Sequence, residues 1–415
     1  MIQKSLDAKL ARIHADPRGC KDFILADAKD ADMALSIGAP GRSPESYPGE
    51  VRYRTLAEFR DIITQIVEQK FVDIMLLSAS TSEVLTIQRR LFDDSPITPA
   101  ARANDTTDIH IIRGARYPSQ PSMPFRTATL DHIQCGHLDC KPEERRLGAN
   151  LGLYSITFMN DTVQDREALE EYKAFRMEAE RKGFNHFLEV FDPNTPDAVA
   201  PDKLPSFIND AIVRTLGGVT SRGRPLFLKM VYHGPQAMEE LVHYDPHLVV
   251  GILGGGAGTT YDAFKLLAEA KKYGARVALF GRKINNAENQ LAFIHFLRLI
   301  ADGEVGPEEA VHAYHGVLQA LNITPQRSLA DDMLLQTNVM NYGGNGTVIS
   351  VPPSTNGKAK SNGQVKAKEA CACACPCDGE KKAVAATSNG EVDFKKMTAS
   401  QKVAYHRARW DRILG

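Results

Sequence analysis

The chain of 415 residues has no stretch approaching the ~18 consecutive apolar residues of a membrane span. Its first segment, MIQKSLDAKLARIHADPRG, lacks the apolar run and small-residue cleavage site of a secretory signal; charges recur through it with the period of a short helix. A cytoplasmic protein is expected. Net charge is almost absent, at −1, which leaves no overall field to draw in nucleic acid or an anionic membrane. A spread cysteine framework is also missing. Of 7 cysteines, Cys371, Cys373, Cys375 and Cys377 crowd one short segment, while Cys20, Cys135 and Cys140 are scattered. That placement does not fit a small secreted domain held by disulfides.

What remains is an ordinary globular composition, 43% hydrophobic and 24% charged, with enough chain for a large core. Over residues 1–349, short β-branched or apolar runs alternate with longer amphipathic ones, the pattern of repeated βα units around a parallel sheet. Strands are predicted at Phe23–Ala28, Phe71–Ser78, Asp108–Arg113, Asn150–Phe158, Phe184–Asp192, Pro225–Tyr232, His247–Leu253 and Ala275–Phe280. Helices are predicted at Thr55–Gln69, Ser82–Leu91, Asp165–Lys182, Leu204–Leu216, Pro235–Val242, Thr260–Tyr273, Asn286–Ala301 and Pro307–Leu321. Eight strands with intervening helices predict a (β/α)8 barrel; a doubly wound open sheet shares the local signals and is the alternative.

Residues 350–390 have the composition of a linker, rich in Pro, Ser, Asn, Gly, Lys and Ala, that cannot repay the entropy of ordering. Its Cys371–Cys377 run could bind soft metal ions or take part in redox pairing, or be a solvated tether. Apolar periodicity returns in residues 391–415. Thr398 and Gln401 match a capping box, and Val403, Trp410, Ile413 and Leu414 fall on one helical stripe.

Barrel enzymes carry their reactive groups at the C-terminal ends of strands, so polar residues ending apolar strands are the candidates. In the sixth strand Phe227, Lys229 and Val231 share one face, and Leu226, Leu228 and Met230 share the other. Packing the Leu/Met face on helices turns Lys229 inward. Burial favours the neutral amine of a lysine, which attacks carbonyls to form a Schiff base. A strand-end lysine can also snorkel to solvent or pair with an internal carboxylate. The fifth strand repeats the arrangement with Glu189, and the first ends with Asp27, two carboxylates suited to moving protons around an imine. A structural ion-pair network is the alternative reading, and Lys29, Asp30, Asp32 and Asp192 lie close enough in sequence to share these roles. After the seventh strand, Gly254, Gly255, Gly256 and Gly258 lead to Thr259 and a helix whose N-terminal amides are expected to face outward. Gly281 and Arg282, with Lys283, follow the eighth. Those two loops commonly build the phosphate site of such barrels.

On these residues, Leu226–Ile284 resembles class I (Schiff-base) aldolases of the archaeal fructose-bisphosphate type and the related tagatose-bisphosphate aldolases. The resemblance implies a Schiff-base lysine at Lys229 and phosphate held by Gly254–Gly258 and Gly281-Arg282. It also implies an aspartate ending strand one at Asp27 and the tagatose-type glutamate at Glu189. It does not reach beyond about Ile349. One departure stands out: the tagatose type has a lysine on strand four, where Asn150–Phe158 has none. Tyr154, Tyr232 or His233 could carry that proton.

The expectation is a lyase that cleaves or forms a carbon–carbon bond in a phosphorylated ketose, without an organic cofactor or catalytic metal, and assembled as a homo-oligomer. Two other readings stay open. His132, Cys135, His137 and Cys140 have the residue types of a zinc site that would stabilise a long loop, or are ordinary loop residues; a metal there lying in the barrel mouth would suggest a metal-dependent lyase. The barrel could also be a non-catalytic scaffold. The tail resembles the C-terminal helices that load enzymes into bacterial microcompartments, so residues 397–415 are expected to dock on a protein partner or shell. Its charged face (Lys402, His406, Arg407, Arg409, Arg412) would alternatively suit an anionic membrane, or the helix could fold back on its own barrel.

Overall fold

The computed structural model describes residues 2–34, 36–41, 53–109, 112, 114–256, 258–337, 398, 401, 402 and 405. Eight parallel strands close on themselves: β1 (Ile24–Lys29), β2 (Ile74–Leu77), β3 (Thr98–Arg102), β4 (Leu151–Thr157), β5 (Asn185–Phe191), β6 (Leu228–Met230), β7 (Gly251–Leu253) and β8 (Val277–Phe280). Because β1 pairs with both β2 and β8, the sheet has no edge, and the open doubly wound alternative falls away. The fold is a (β/α)8 barrel.

Alternation along each strand divides the buried residues into two clusters. Inside the barrel lie Ile24, Ala26, Ile74, Leu76, Ala100, Leu151, Leu153, Phe187, Phe227, Val277 and Leu279. Leu25, Met75, Tyr154, Leu188, Leu228, Met230 and Phe280 pack outward under the helices. Helix α1 (Ser5–Ala15) inserts Leu6, Leu10 and Ile13 into the inner cluster and so closes its N-terminal end with apolar side chains. Its Lys9 anchors this plug by donating to the Phe23 carbonyl at 2.9 Å and to Asp73 at 2.8 Å. The barrel interior is therefore apolar at one end, and its charged groups collect at the other.

Most helices predicted from periodicity form with small shifts; Ser82–Leu91 is instead a short α-helical turn, Ala79–Ser82, followed by a π-helix over Glu83–Gln88. Thr55 caps α2 (Leu56–Gln69) in a capping box with Glu58, and α3 spans Thr162–Lys182, α4 Leu204–Leu216 and α5 Pro235–Tyr244. They are followed by α6 (Thr260–Lys272), α7 (Gln290–Asp302) and α8 (Pro307–Ala320). The long helix expected over Asn286–Ala301 starts later, at Gln290. A short turn, Arg282–Asn285, precedes Asn289, whose side chain caps α7 by accepting from the Ala292 N–H at 2.9 Å.

The third strand is a correction. Asp108–Arg113 was expected from its β-branched residues, yet Asp108 and Ile109 lie in a turn, and β3 forms earlier, from Thr-Pro-Ala-Ala-Arg. Ala100 is buried in the inner cluster and Ala101 in the outer one, so both faces of β3 are covered. Close approach of neighbouring backbones, which small side chains allow, outweighs β-propensity there.

The residues 350–390 lie outside the described residues, as does most of 391–415. At the start of the tail the capping box is present: Thr398 N–H donates to Gln401 Oε1 at 2.9 Å and Gln401 N–H to Thr398 Oγ1 at 3.4 Å. Lys402 Nζ reaches Glu309 of α8 at 3.3 Å. The tail's docking rests on sequence alone. Among the described residues no helix is long and apolar enough to cross a membrane.

One outward-facing residue gives the fold a pH sensitivity. His186 of β5 is buried against Tyr172 and Phe175, its Nε2 2.8 Å from the Tyr172 hydroxyl, and burial pushes its pKa down to about 3. The unfolded chain takes up this proton near pH 6.5 and the folded chain does not, so stability is full above that pH and is lost as pH falls towards 3. Replacing His186 by Gln is expected to flatten the dependence of Tm on pH between about 6.5 and 4. A variant with the wild-type slope would show that other groups cause it.

Candidate active site

The C-terminal end of the barrel opens into a cavity of about 110 Å³. Lys229 and Glu189 line it, held side by side because they are register partners on β6 and β5. Lys229 is 7% exposed, and its Nζ lies 2.5 Å from Glu189 Oε1. Ser155 of β4 is the partner of Glu189 on the other side and donates its hydroxyl to Glu189 Oε2 at 2.7 Å. Ser155, Glu189 and Lys229 thus form one inward rung across three strands. Two residues below them, Phe187 and Phe227 stack with ring centroids 4.5 Å apart. The boundary between apolar interior and polar mouth is one rung thick.

Arg102, the last residue of β3, completes the constellation. Its guanidinium donates to Asp30 at 2.6 Å and to Ser155 Oγ at 3.4 Å, and lies 3.6 Å from Asp105 and 3.8 Å from Glu189. Burial opposes its charge, but Asp30, Glu189 and Asp105 together hold it above the usual arginine range. Asn104 continues the ladder beyond β3 with its side chain, accepting from the Ser155 N–H at 2.6 Å and donating to the Ser155 carbonyl at 2.9 Å. These contacts fix the serine that orients Glu189.

Asp27 is not brought to this mouth. It shares the outer face of β1 with Leu25, pairs across the ladder with Met75 and Phe280, and binds Lys29 at 2.9 Å, both side chains being fully buried. Desolvation raises the Asp27 pKa and lowers that of Lys29, against their mutual attraction. The carboxylate that does reach the cavity from this segment is Asp30, just past the strand end. Of the candidate proton carriers, Tyr154 and Tyr232 face the helices; Tyr154 packs on Tyr172 and Phe175. His233, just beyond β6, is bound to Asp192 at 2.8 Å and does not line the cavity.

Gly254, Gly255, Gly281 and Arg282 line the same cavity as Lys229. Gly255 adopts φ +60°, a left-handed turn that favours glycine. Gly254 is required by space: an added Cβ would lie 2.1 Å from the Phe280 ring. Gly254→Ala is therefore expected to destabilise the protein by about 1–3 kcal/mol, measured by urea unfolding; a neutral result would mean the ring can move aside. Gly256 packs against Arg282, where a Cβ would be 3.0 Å from the side chain. Burial pushes the Arg282 pKa down, with Glu189 acting in the opposite sense. Lys283 turns away to donate to the Gly258 carbonyl at 2.6 Å, its pKa pushed down to about 8, chiefly by burial.

The outward-facing amides expected at α6 are used within the chain. Thr260 N–H donates to Asp332 at 2.7 Å, and Thr259 and Asp262 form a reciprocal capping box. An anion at this mouth would meet the glycine loop and Arg282 rather than the end of α6.

The Cys/His cluster lies elsewhere. The helix Leu130–Cys135 is tied to the N-terminal ends of β4 and β5: Gln134 bonds Asn150 at 2.8 Å, and Asp131 pairs with Lys182 at 2.5 Å. A metal there would sit at the opposite end of the barrel from Lys229, which removes the premise of a metal-dependent lyase built on these residues. Arg102 and Ser155 are the site residues that sequence reasoning missed. An arginine closing a run of small residues was the available signal, hidden because the third strand was placed after it.

No protein-family profile and no curated protein matches the sequence. Among solved structures, an archaeal fructose 1,6-bisphosphate aldolase is similar over 72% of this chain and 100% of its own, with 14% identity and a TM-score of 0.50. A Schiff-base-forming fructose-1,6-bisphosphate aldolase matches over 72% and 100% with 15% identity and a TM-score of 0.49. A protein of Corynebacterium glutamicum matches over 74% and 99% with 14% identity and a TM-score of 0.48. At these identities the likeness is one of fold.

Proposed function

We propose that the chain is a class I aldolase-type lyase that cleaves or forms a carbon–carbon bond in a phosphorylated ketose through a Schiff base on Lys229. The observation that carries this reading is the pairing of an inward lysine with Glu189, in one cavity with the glycine loop and Arg282. Fold-level likeness to an archaeal fructose 1,6-bisphosphate aldolase agrees with it.

Glu189, at 2.5 Å, takes a proton from the Lys229 ammonium and frees the amine to attack the ketone carbonyl. The same carboxyl then protonates the departing hydroxyl, so that water leaves and an iminium remains. The iminium withdraws the electron pair of the adjacent carbon–carbon bond as a base removes the substrate hydroxyl proton, releasing an aldehyde and an enamine. Protonation of the enamine and hydrolysis regenerate Lys229. Arg102 and Asp30 supply a fixed field around these steps, with the Ser155 hydroxyl holding the Glu189 carboxylate. In this reading Arg282 and the amide of Gly255 hold the phosphate, while the Gly254 N–H is spent on the Leu279 carbonyl at 2.8 Å. This scheme gives Asp27 no proton to move.

Incubation with candidate ketose phosphates and borohydride, followed by peptide mass spectrometry, tests the reading. The expected result is one reduced adduct on Lys229, formed equally well in chelator. Turnover without any adduct would sink the imine route, and neither turnover nor adduct with any phosphoketose would favour a scaffold.

A further inference from the structure

At the end of the barrel opposite Lys229, the long connection between β3 and β4 gathers a second set of reactive side chains. Cys135 Sγ, a His137 ring nitrogen and a Glu144 carboxylate oxygen all lie within 4.8 Å of one another, and Cys140 is joined to Cys135 by a disulfide with Cα atoms 6.0 Å apart. His132, read with this group from sequence, is bound to Thr129 at 2.7 Å and stands outside it. Glu144 takes its place. We infer that Cys135, His137, Cys140 and Glu144, with both thiols reduced, form a structural site for a zinc-type divalent cation.

Donor chemistry is the first argument. Two thiolates, one imidazole nitrogen and one carboxylate oxygen make four ligands, the number of a closed structural zinc site, and thiolates select zinc over magnesium or calcium. Orientation is the second. His137 Nδ1 lies 2.8 Å from the Leu138 carbonyl, which makes it the protonated nitrogen. Its Nε2 is left with the lone pair, and Nε2 is the atom that approaches Glu144 Oε2, at 3.7 Å. The loop is also shaped around these groups: Gly136 and Asp139 take left-handed backbone conformations, and Asp131 accepts from the Asp139 N–H at 3.0 Å. Glu144 Oε2 accepts from the Lys141 N–H at 2.9 Å, which holds the carboxylate in place. Finally, residues 136–148 run over the surface with Cys140 as the one buried side chain among them, the kind of segment a metal can staple.

The disulfide is the oxidised form of the same site. A dithiol reductant delivers two electrons and two protons to give two thiols; the cation then displaces both thiol protons and binds the thiolates. The site is independent of the chemistry at Lys229.

The test uses full-length protein carrying Cys371→Ser, Cys373→Ser, Cys375→Ser and Cys377→Ser, so that the linker thiols do not compete. After reduction by a dithiol, loading with Zn2+ and gel filtration, one zinc per chain is expected. Co2+ in its place should give a thiolate-to-cobalt charge-transfer band. Cys135→Ser and Cys140→Ser should lose both signals. His137→Ala removes an exposed side chain that the barrel does not need, and is expected to weaken zinc binding at least about 10-fold with circular dichroism unchanged. Reduced protein that retains no zinc would overturn the inference. So would equal zinc uptake by the cysteine variants or wild-type affinity in His137→Ala.

Discussion

Lys229→Met is expected to lower ketose-phosphate turnover by at least about 10⁴-fold, the usual scale for removing a covalent nucleophile, and to abolish borohydride trapping. The protein should nevertheless fold. Removing one partner of a buried ion pair is costly when the other charge is stranded, but Glu189 keeps the Ser155 hydroxyl at 2.7 Å and the Arg102 guanidinium at 3.8 Å. Lys229→Arg separates charge from nucleophilicity. It retains the cation beside Glu189 and cannot form an imine, so it should match the inactivity of Lys229→Met with a Tm closer to wild type. Near-normal turnover in either variant would exclude the Schiff-base mechanism. Loss of folding in both would assign Lys229 to the structural network instead.

Arg102→Met is expected to cost about 3–5 kcal/mol of stability, and Tm should fall by roughly 5–15 °C. The buried mouth balances three cations (Arg102, Lys229, Arg282) against three carboxylates (Asp30, Asp105, Glu189), and Arg102 is the only one of these cations in contact with Asp30 and Asp105 among the described residues. Methionine fills the space and removes the guanidinium that faces these carboxylates in a poorly solvated cavity. A second change, Asp30→Asn, removes one of those charges, so the double variant should recover part of the loss relative to Arg102→Met. Simple additivity of the two single effects would show that Arg102 does not work through Asp30. Thermal unfolding of the four proteins closes the cycle.

Much of this architecture was legible before any coordinates. Strand–helix alternation led to the barrel, and the parity of Phe227, Lys229 and Val231 against Leu228 and Met230 correctly placed Lys229 inside, beside Glu189. The same argument failed on β1. There Ile24, Ala26 and Ala28 occupy one face and Leu25, Asp27 and Lys29 the other, and both begin with an apolar residue, so nothing local says which face is inner. Neighbouring strands decide it: Asp27 pairs with Met75 and Phe280 of the outer cluster, and Asp30 becomes the carboxylate at the mouth. The β3 error had a related origin, since Thr-Pro-Ala-Ala-Arg has little intrinsic strand preference and gains its place by fitting between β2 and β4. With that strand misplaced, Arg102 went unseen.

By itself, then, the amino-acid sequence determined the barrel class, the inward lysine–glutamate pair and the glycine loop, because each depends on periodicity or composition within a few consecutive residues. Tertiary structure alone decided the rest. It chose Asp30 over Asp27, brought Arg102 to Ser155, gave the α6 amide of Thr260 to Asp332, and set the Cys135–Cys140 loop at the far end of the barrel. Those outcomes depend on barrel closure and register, which join residues tens to hundreds of positions apart and leave no trace in local pattern.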